Sequence, residues 1–494
     1  MAAKNSKVAS KQTITKKRGT GSFAIYAAVF LLGFATLYFG TPPLMNDPDT
    51  PWHLAAGKDI RALGHVPASD TWSYTTTQQR WYNLSWAWDV LISMIEDMVG
   101  LSGLFIFSCL CGAGVITFLA KVLHVRVGHF DDAVFMVLAI VALTYMAQYG
   151  ARPQLFTEAL ALLWLWGVPQ LMRQRAWQYI LPLSMVLWGN FHGGFFVAFT
   201  ILGAYAFQAW THRQWPYMRQ LVITGALSAA MLCINPLGIY VFYGALRTLL
   251  SNITPYLSEW QPMVFNASTG FDIALIAMIV ASGFRDKTIP VAEKILAFAW
   301  MMAALLTVRH LFLAVLMVAP YLVRSLAKTL PHIRQYRVPQ AYYHPAAALG
   351  TVVGIVLLTV FPVREAATGR SRILSAEEIP VAAFHFIREH YPHQRFLNEF
   401  FIGGHMVYYN RDVHQVFTDG RVGTAYSEAD LADIIRLMRG EDVNEILRRH
   451  QVTGVILPSW RNAFKITELQ NPNHWNKVYD DGVGEVYIRA VPQH

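Results

Sequence analysis

The chain has 494 residues, of which 54% are hydrophobic and 14% charged; soluble domains carry about 25% charged residues. The apolar residues fall in runs of roughly 15–20, the length that spans a ~30 Å hydrocarbon core, which excludes a soluble protein with a single anchor. The formal net charge of +9 comes mostly from Lys and Arg in short loops between apolar runs, the positive-inside pattern, so a nucleic-acid partner is excluded too. Cys109, Cys111 and Cys233 all lie in apolar runs and imply no disulfide framework.

Residues 1–21 form a basic tail, predicted cytoplasmic, with no convincing signal-peptide cleavage site. Membrane spans are predicted at 22–40, 102–123, 132–148, 154–171, 178–191, 194–210, 219–234, 270–284, 292–308, 311–327 and 345–362. These make a mainly α, polytopic bundle of about eleven spans over 22–362. With the N-terminus in the cytoplasm, the loops on that side hold 19 Lys and Arg against 6 on the other, which fixes one orientation. The first external loop, 41–101, is structured. "PWHLAAGKDIRALG" reads as an interface helix with Pro51 near its start. "LSWAWDVLISMIEDMVG" is amphipathic, and Asp89 and Glu96 argue against a full span. Its many Trp and Tyr suit an interfacial belt. Asn83-Leu-Ser, Asn252-Ile-Thr and Asn266-Ala-Ser match glycosylation sequons, tripeptides that also arise by chance.

From 363 the texture changes to a mixed α/β domain, 363–494, predicted extracytoplasmic and large enough for its own core. "EEIPVAAFHFIREHY", "EADLADIIRLM" and "VNEILRRH" read as helices. "RFLNEF", "HMVYY", "HQVFTD", "VTGVILP", "KVYDD" and "EVYIRA" read as strands.

On this map the unusual polar groups converge on the non-cytoplasmic side. Asp47, Asp49 and His53 follow the first span; Arg152 lies in "GARPQLF", His192 in "WGNFHGG", Glu259 in "EWQP", and Arg309 with His310 in "VRHLF". Each has a bland explanation: an Arg at a span end snorkels, a lone His is usually structural, and "HGG" is an ordinary turn. Together they suit chemistry on an anionic lipid headgroup, since ionisable groups at membrane depth mark functional sites by default. A carboxylate can orient or deprotonate an acceptor, and cations can hold a departing phosphate. Asp49 precedes the first turn of the interface helix, so an N-cap role is its structural alternative.

"NDPDTPWHLAAGKDI" in the first external loop, followed by two interface helices, resembles the GT-C superfamily of polyprenyl-linked glycosyltransferases. "ARPQLFTEALALL" is similar to that superfamily's Arg-Pro-Asp stretch, with Gln154 where an Asp is common and Glu158, one turn on, as the substitute acid. "GHVPASDTWSY", "WGNFHGG", "INPLGIY" and "GGHMVYY…VFTDGR" resemble a bacterial branch of such proteins. The resemblance implies a multi-pass protein of the bacterial inner (cytoplasmic) membrane with its C-terminal domain in the periplasm. It implies transfer of a sugar from a polyprenyl-phosphate donor to an acceptor glycan, lipid or protein. Asp49 and Asp47 would be the catalytic acids. Arg152, His192, Glu259, Arg309, His310 and His53 would bind donor phosphate or substrate. Asp47 and Asp49 would be candidate ligands for a divalent metal (Mg2+ or Mn2+), bound through oxygen. A lipid or glycan transporter and a non-enzymatic envelope assembly protein are the rival classes. A transporter needs an open path to both faces, a transferase a cavity on one.

Overall fold

The computed structural model describes residues 20–76, 80–145, 150–263, 284, 286–329, 335–336, 372–375, 377–460 and 466–490. The predicted span 345–362, and all but the last residue of 270–284, lie outside them. The remaining nine predicted spans coincide with helices. These are α1 (Thr20–Gly40), the second part of α3 (Trp86–Val127), α4 (Asp132–Tyr145), α5 (Gln154–Gly167), α6 (Trp177–Phe191), α7 (Phe196–Thr211), α8 (Trp215–Leu232), α10 (Val291–Leu306) and α11 (Leu311–Thr329). Four segments, Phe23–Gly40, Trp86–Val127, Gly193–Thr211 and Val308–Lys328, are long and apolar enough to cross a membrane on length and composition alone. The other helices have 14–18 residues, so the described residues do not establish eleven full spans.

α2 (Thr50–Leu63) is the expected interface helix, with Pro51 in its first turn and Gly64 left-handed at its end (φ 72°). It packs on the start of α3 at Gly57. A Cβ there would lie 2.0 Å from the Asp89 carbonyl oxygen, so glycine permits the approach. The amphipathic segment after Trp86 runs into the next span and the two are joined at Gly100, whose φ of 70° breaks the helix. A short helix, α9 (Tyr240–Leu249), follows α8.

The C-terminal segment holds α12 (Val381–His390), α13 (Phe400–Asn410), α14 (Glu428–Arg439) and α15 (Val443–Arg449), with a four-stranded sheet. A separate two-residue pair, β1 (Phe130–Asp131) with β2 (Gln335–Tyr336), lies elsewhere. In the sheet, β3 (Phe396–Asn398) pairs parallel to β4 (Gly454–Pro458), which pairs antiparallel to β6 (Gly484–Arg489), and β5 (Trp475–Asp480) closes the edge. Two strand expectations fail here. "HMVYY" belongs to helix α13: Ile402, His405, Met406 and Val407 are buried at helical spacing, and Glu399 caps the start by accepting the Phe401 N–H at 2.7 Å. "HQVFTD" makes only a single bridge, Val416 to Ser73.

This domain does not keep a core to itself. Trp52, Ala55, Ala56, Trp72, Tyr74 and Trp81 of the 41–101 loop pack in one cluster with Phe384, Phe396, Met406, Phe417 and Val455. Asp70 and Asp419 clamp Arg421 with no side-chain exposure on any of the three. The guanidinium lies 4.4 Å from the Trp72 ring centre and 4.8 Å from that of Trp81.

Candidate active site

The 41–101 loop, the α5 entrance, the α6–α7 turn, the segment after α9, the α10–α11 turn and the C-terminal domain enclose a cavity of ≈ 620 Å³. Asp49, His53, Arg152, His192, Glu259, Arg309 and His310 all line it. Seven of the eight residues singled out from sequence therefore meet in one space, although 260 positions separate Asp49 from Arg309.

Asp47 is the exception, and its burial separates it from Asp49. Its side chain is 0% exposed. One oxygen accepts from Arg152 Nη2 at 2.6 Å and Nε at 2.8 Å; the other accepts the Thr50 hydroxyl at 2.5 Å and the Thr50 N–H at 3.0 Å. Asp47 thus does the capping work anticipated for Asp49, whose side chain makes no cap bond. Asp49 is 18% exposed and faces the cavity, with one oxygen held by the Trp52 indole at 3.1 Å and the other 3.4 Å from Arg152. Burial is the main cause that raises its carboxyl above the ordinary range; Arg152 offsets this in part, and the charges of Asp47 and Glu259 reinforce it.

Glu259 closes a chain of ion pairs: it accepts from Arg152 Nη1 at 2.9 Å and pairs with Arg309. Burial alone would raise its carboxyl, but Arg309 and Arg152 overcome this and hold it low. Arg309 is the freer cation. Among the described residues its hydrogen bond goes to Glu259, and its guanidinium lies 5.0 Å from the Trp260 ring centre. The remaining guanidinium donors are available to a ligand. His310 bonds the Thr307 hydroxyl and sits edge-on to Trp260 and Trp300. His192 lies in the extended link between α6 and α7. Burial, then Arg309 and His53, push its pKa down to about 3, so the ring is neutral.

The floor is apolar: Phe196, Val197, Trp300 and Leu313, with Thr200 accepting from the Trp300 indole at 3.3 Å. Farther along the same helices, Glu293 joins Arg126 and Arg324, and Arg126 also bonds Tyr205 at 3.3 Å. From above, the C-terminal domain presses its backbone onto the acidic loop. A Cβ on Gly420 would lie 2.1 Å from Asp49 Oδ1, and one on Gly404 2.3 Å from the Pro48 carbonyl oxygen. The His405 ring bonds the Met45 carbonyl at 2.6 Å.

The Asp47–Asp49 pair is not arranged to hold a divalent ion. Asp47 spends both oxygens on Arg152 and Thr50, and the guanidinium of Arg152 occupies the position between Asp47, Asp49 and Glu259 that a cation would take. Among the described residues no group of three or more His, Cys, Asp or Glu is placed to hold a metal. Glu158 does not supply a second acid: it is 1% exposed within the bundle and absent from the cavity wall. Glu259 does. Asp89 and Asn83 escaped the sequence reading. Asp89 served only as an argument against a span, although a carboxylate in an apolar helix is itself a functional signal. Asn83 is no glycan site in this fold, because its buried amide donates to Asp89 at 2.8 Å.

No family model and no curated protein matches the chain. Solved structures do. The archaeal oligosaccharyltransferase AglB from Archaeoglobus fulgidus, in complex with an inhibitory peptide and a dolichol-phosphate, aligns over 96% of this chain and 75% of its own, with TM-score 0.57 and 11% identity. The same organism's enzyme tethered to an acceptor peptide containing the NVT sequon aligns over 96% and 74%, with TM-score 0.59 and 12% identity. Its complex with Zn and sulfate aligns over 88% and 68%, with TM-score 0.54 and 12% identity. The chain therefore shares the fold of these oligosaccharyltransferase structures.

Proposed function

We propose that the chain is a membrane glycosyltransferase that moves a sugar from a polyprenyl-phosphate donor to an acceptor on the extracytoplasmic face of a multi-pass membrane domain. The observation that carries this is the single cavity that gathers Asp49, Arg152, Arg309 and an apolar wall. Its apolar floor suits a prenyl chain, its two arginines suit a phosphate, and Asp49 stands between them and the C-terminal domain. A lipid phosphate on Arg309 and Arg152 would leave with its charge already matched by fixed donors. Asp49 would orient the attacking acceptor group and face the positive charge that develops at the anomeric carbon. The fold of AglB, whose structure holds a dolichol-phosphate, supports a lipid-linked donor. The donor set does not fit a metal, and the charges on the reacting groups are met by the chain's own side chains.

The test is binding of a polyprenyl phosphate to the purified chain in nanodiscs. Arg309→Ala weakens binding by roughly 2–5 kcal/mol if the charge pair is desolvated. Arg309→Lys recovers only part of it, having no bidentate fork. Unchanged affinity in Arg309→Ala removes Arg309 from the donor site.

A further inference from the structure

Two imidazoles line the cavity, and their hydrogen bonds fix them in opposite tautomers. His53 Nδ1 lies 2.6 Å from Asp89 Oδ1. Asp89 is fully buried and also accepts from the Asn83 amide at 2.8 Å and the Ser85 hydroxyl at 3.3 Å. A carboxylate with those donors only accepts, so the proton between them is on His53 Nδ1. His53 Nε2, which makes no bond among the described residues, is then a lone pair at the cavity wall. Trp52 stacks on the ring at 3.6 Å and holds its plane.

His192 is the reverse. Its Nδ1 accepts the Gly194 backbone N–H at 3.2 Å, a group that can only donate. Thr157 lies 2.6 Å from the same nitrogen, and its own oxygen accepts from the Trp188 indole at 2.8 Å, which turns the hydroxyl proton toward His192. With Nδ1 occupied, the ring proton is on Nε2, which is likewise unbonded among the described residues. The groups facing His192 electrostatically are Arg309 and His53. Those facing His53 are Asp89, Asp49 and His192.

We infer that His53, positioned by Asp89, takes the proton of the attacking acceptor group, while His192 offers a fixed N–H to the oxygen that departs. This rests on the glycosyl-transfer reading and adds the destination of the proton to it. The acceptor oxygen or nitrogen bonds to the anomeric carbon as the bond from that carbon to the phosphate oxygen breaks. The electron pair leaves with the phosphate, which accepts a hydrogen bond from His192 Nε2–H without taking its proton. The acceptor's proton goes to His53 Nε2, and the imidazolium is held by the Asp89 carboxylate until it loses the proton to water. Asp89 is a positioning residue; it never touches substrate.

The test has two arms on the full-length chain in nanodiscs. Nitrogen NMR on protein labelled with 15N-histidine, assigned with His53→Gln and His192→Gln, should show at pH 8 a protonated Nδ1 on His53 and a protonated Nε2 on His192. His192 should not titrate between pH 5 and 8. A His53 with its proton on Nε2, or a His192 that titrates in that range, overturns the inference whatever the enzyme transfers. The second arm measures sugar transfer from a polyprenyl-phosphate sugar by Asp89→Asn. An amide there donates to Nδ1 and drives the proton to Nε2, so turnover should fall about 10²–10⁴-fold with donor KM unchanged. Full turnover in a folded Asp89→Asn, with the tautomers as stated, makes the dyad a helix–helix tie and overturns the proton's assignment. If the substitution unfolds the chain, the NMR arm decides. Absence of transfer by the wild type overturns the functional reading, and with it the proton's destination, while the tautomers stand or fall by NMR alone.

Discussion

Asp47 and Asp49 are two residues apart and do different work because one faces in and the other out. Removing the charge of Asp47 leaves Arg152 buried beside Thr50 without its main partner, the situation that costs about 3–5 kcal/mol when a buried pair is broken. Asp47→Asn should therefore lower the melting temperature, and chemical denaturation checks the size of the loss. Asp49→Asn should leave the melting curve in place, since the Trp52 indole can donate to an amide oxygen as well as to a carboxylate. The sequence brought both acids to the right loop, but composition and spacing could not say which would be buried. Arg152, 105 residues away, decides that. The same limit explains Asp89: its partner His53 comes from a different helix, and only the packing at Gly57 brings them together.

At the scale of elements, the helices were readable because apolar runs and their breaks repeat regularly, and the kink at Gly100 falls where the amphipathic pattern gives way to the continuous apolar run. Helix α13 was misread because its aromatic and β-branched residues favour a strand, while its burial on the acidic loop imposes the helical period. Gly404 and Gly420 make that docking possible and Gly403 lets α13 pack on its own segment, and the glycines differ in what a methyl group would strike. On Gly403 a Cβ would lie 2.0 Å from the Thr418 backbone oxygen, which cannot swing aside. Gly403→Ala should cost stability of about 1–3 kcal/mol, the usual range for overpacking. On Gly420 the obstacle is the end of the Asp49 side chain, which can move. Gly420→Ala should fold nearly as well as the wild type yet lose turnover, because the displaced group is the carboxylate proposed to be catalytic. Comparing melting temperature and transfer rate for the two variants checks this; equal loss of both in Gly420→Ala would show that the loop, not the carboxylate, gives way.

At the scale of the whole molecule, the 41–101 loop and the C-terminal segment share one core built from two distant stretches of chain. The 363–494 segment was expected to carry its own core, and the structure makes that core a shared one, with Trp52, Trp72 and Trp81 supplied by the first loop. The lock is the Asp70–Arg421 pair. Burial would raise the Asp70 carboxyl, but Arg421 and the hydrogen bonds from Thr76 and Trp72 outweigh it and hold it below its ordinary value. A carboxylate depressed in the folded state stabilises fully above its unfolded pKa of about 3.9 and loses that contribution as pH falls through the folded value. The gap in melting temperature between wild type and Asp70→Asn should hence stay constant from pH 8 to about pH 5 and narrow only below about pH 4. A gap that closes near pH 6 would mean that the pair does not depress Asp70.

The lock matters because it seats the C-terminal domain over Asp49 and gives the membrane cavity its outer wall. The central claim is that this cavity transfers a sugar from a lipid phosphate, with Asp49 at the reacting centre. The most direct measurement is transfer from a purified polyprenyl-phosphate sugar in proteoliposomes, wild type beside Asp49→Asn, with a melting curve for each. Transfer by the wild type and a loss of at least ~10²-fold in the variant, with the melting curves superimposed, is the predicted result; full activity in a folded Asp49→Asn would contradict it.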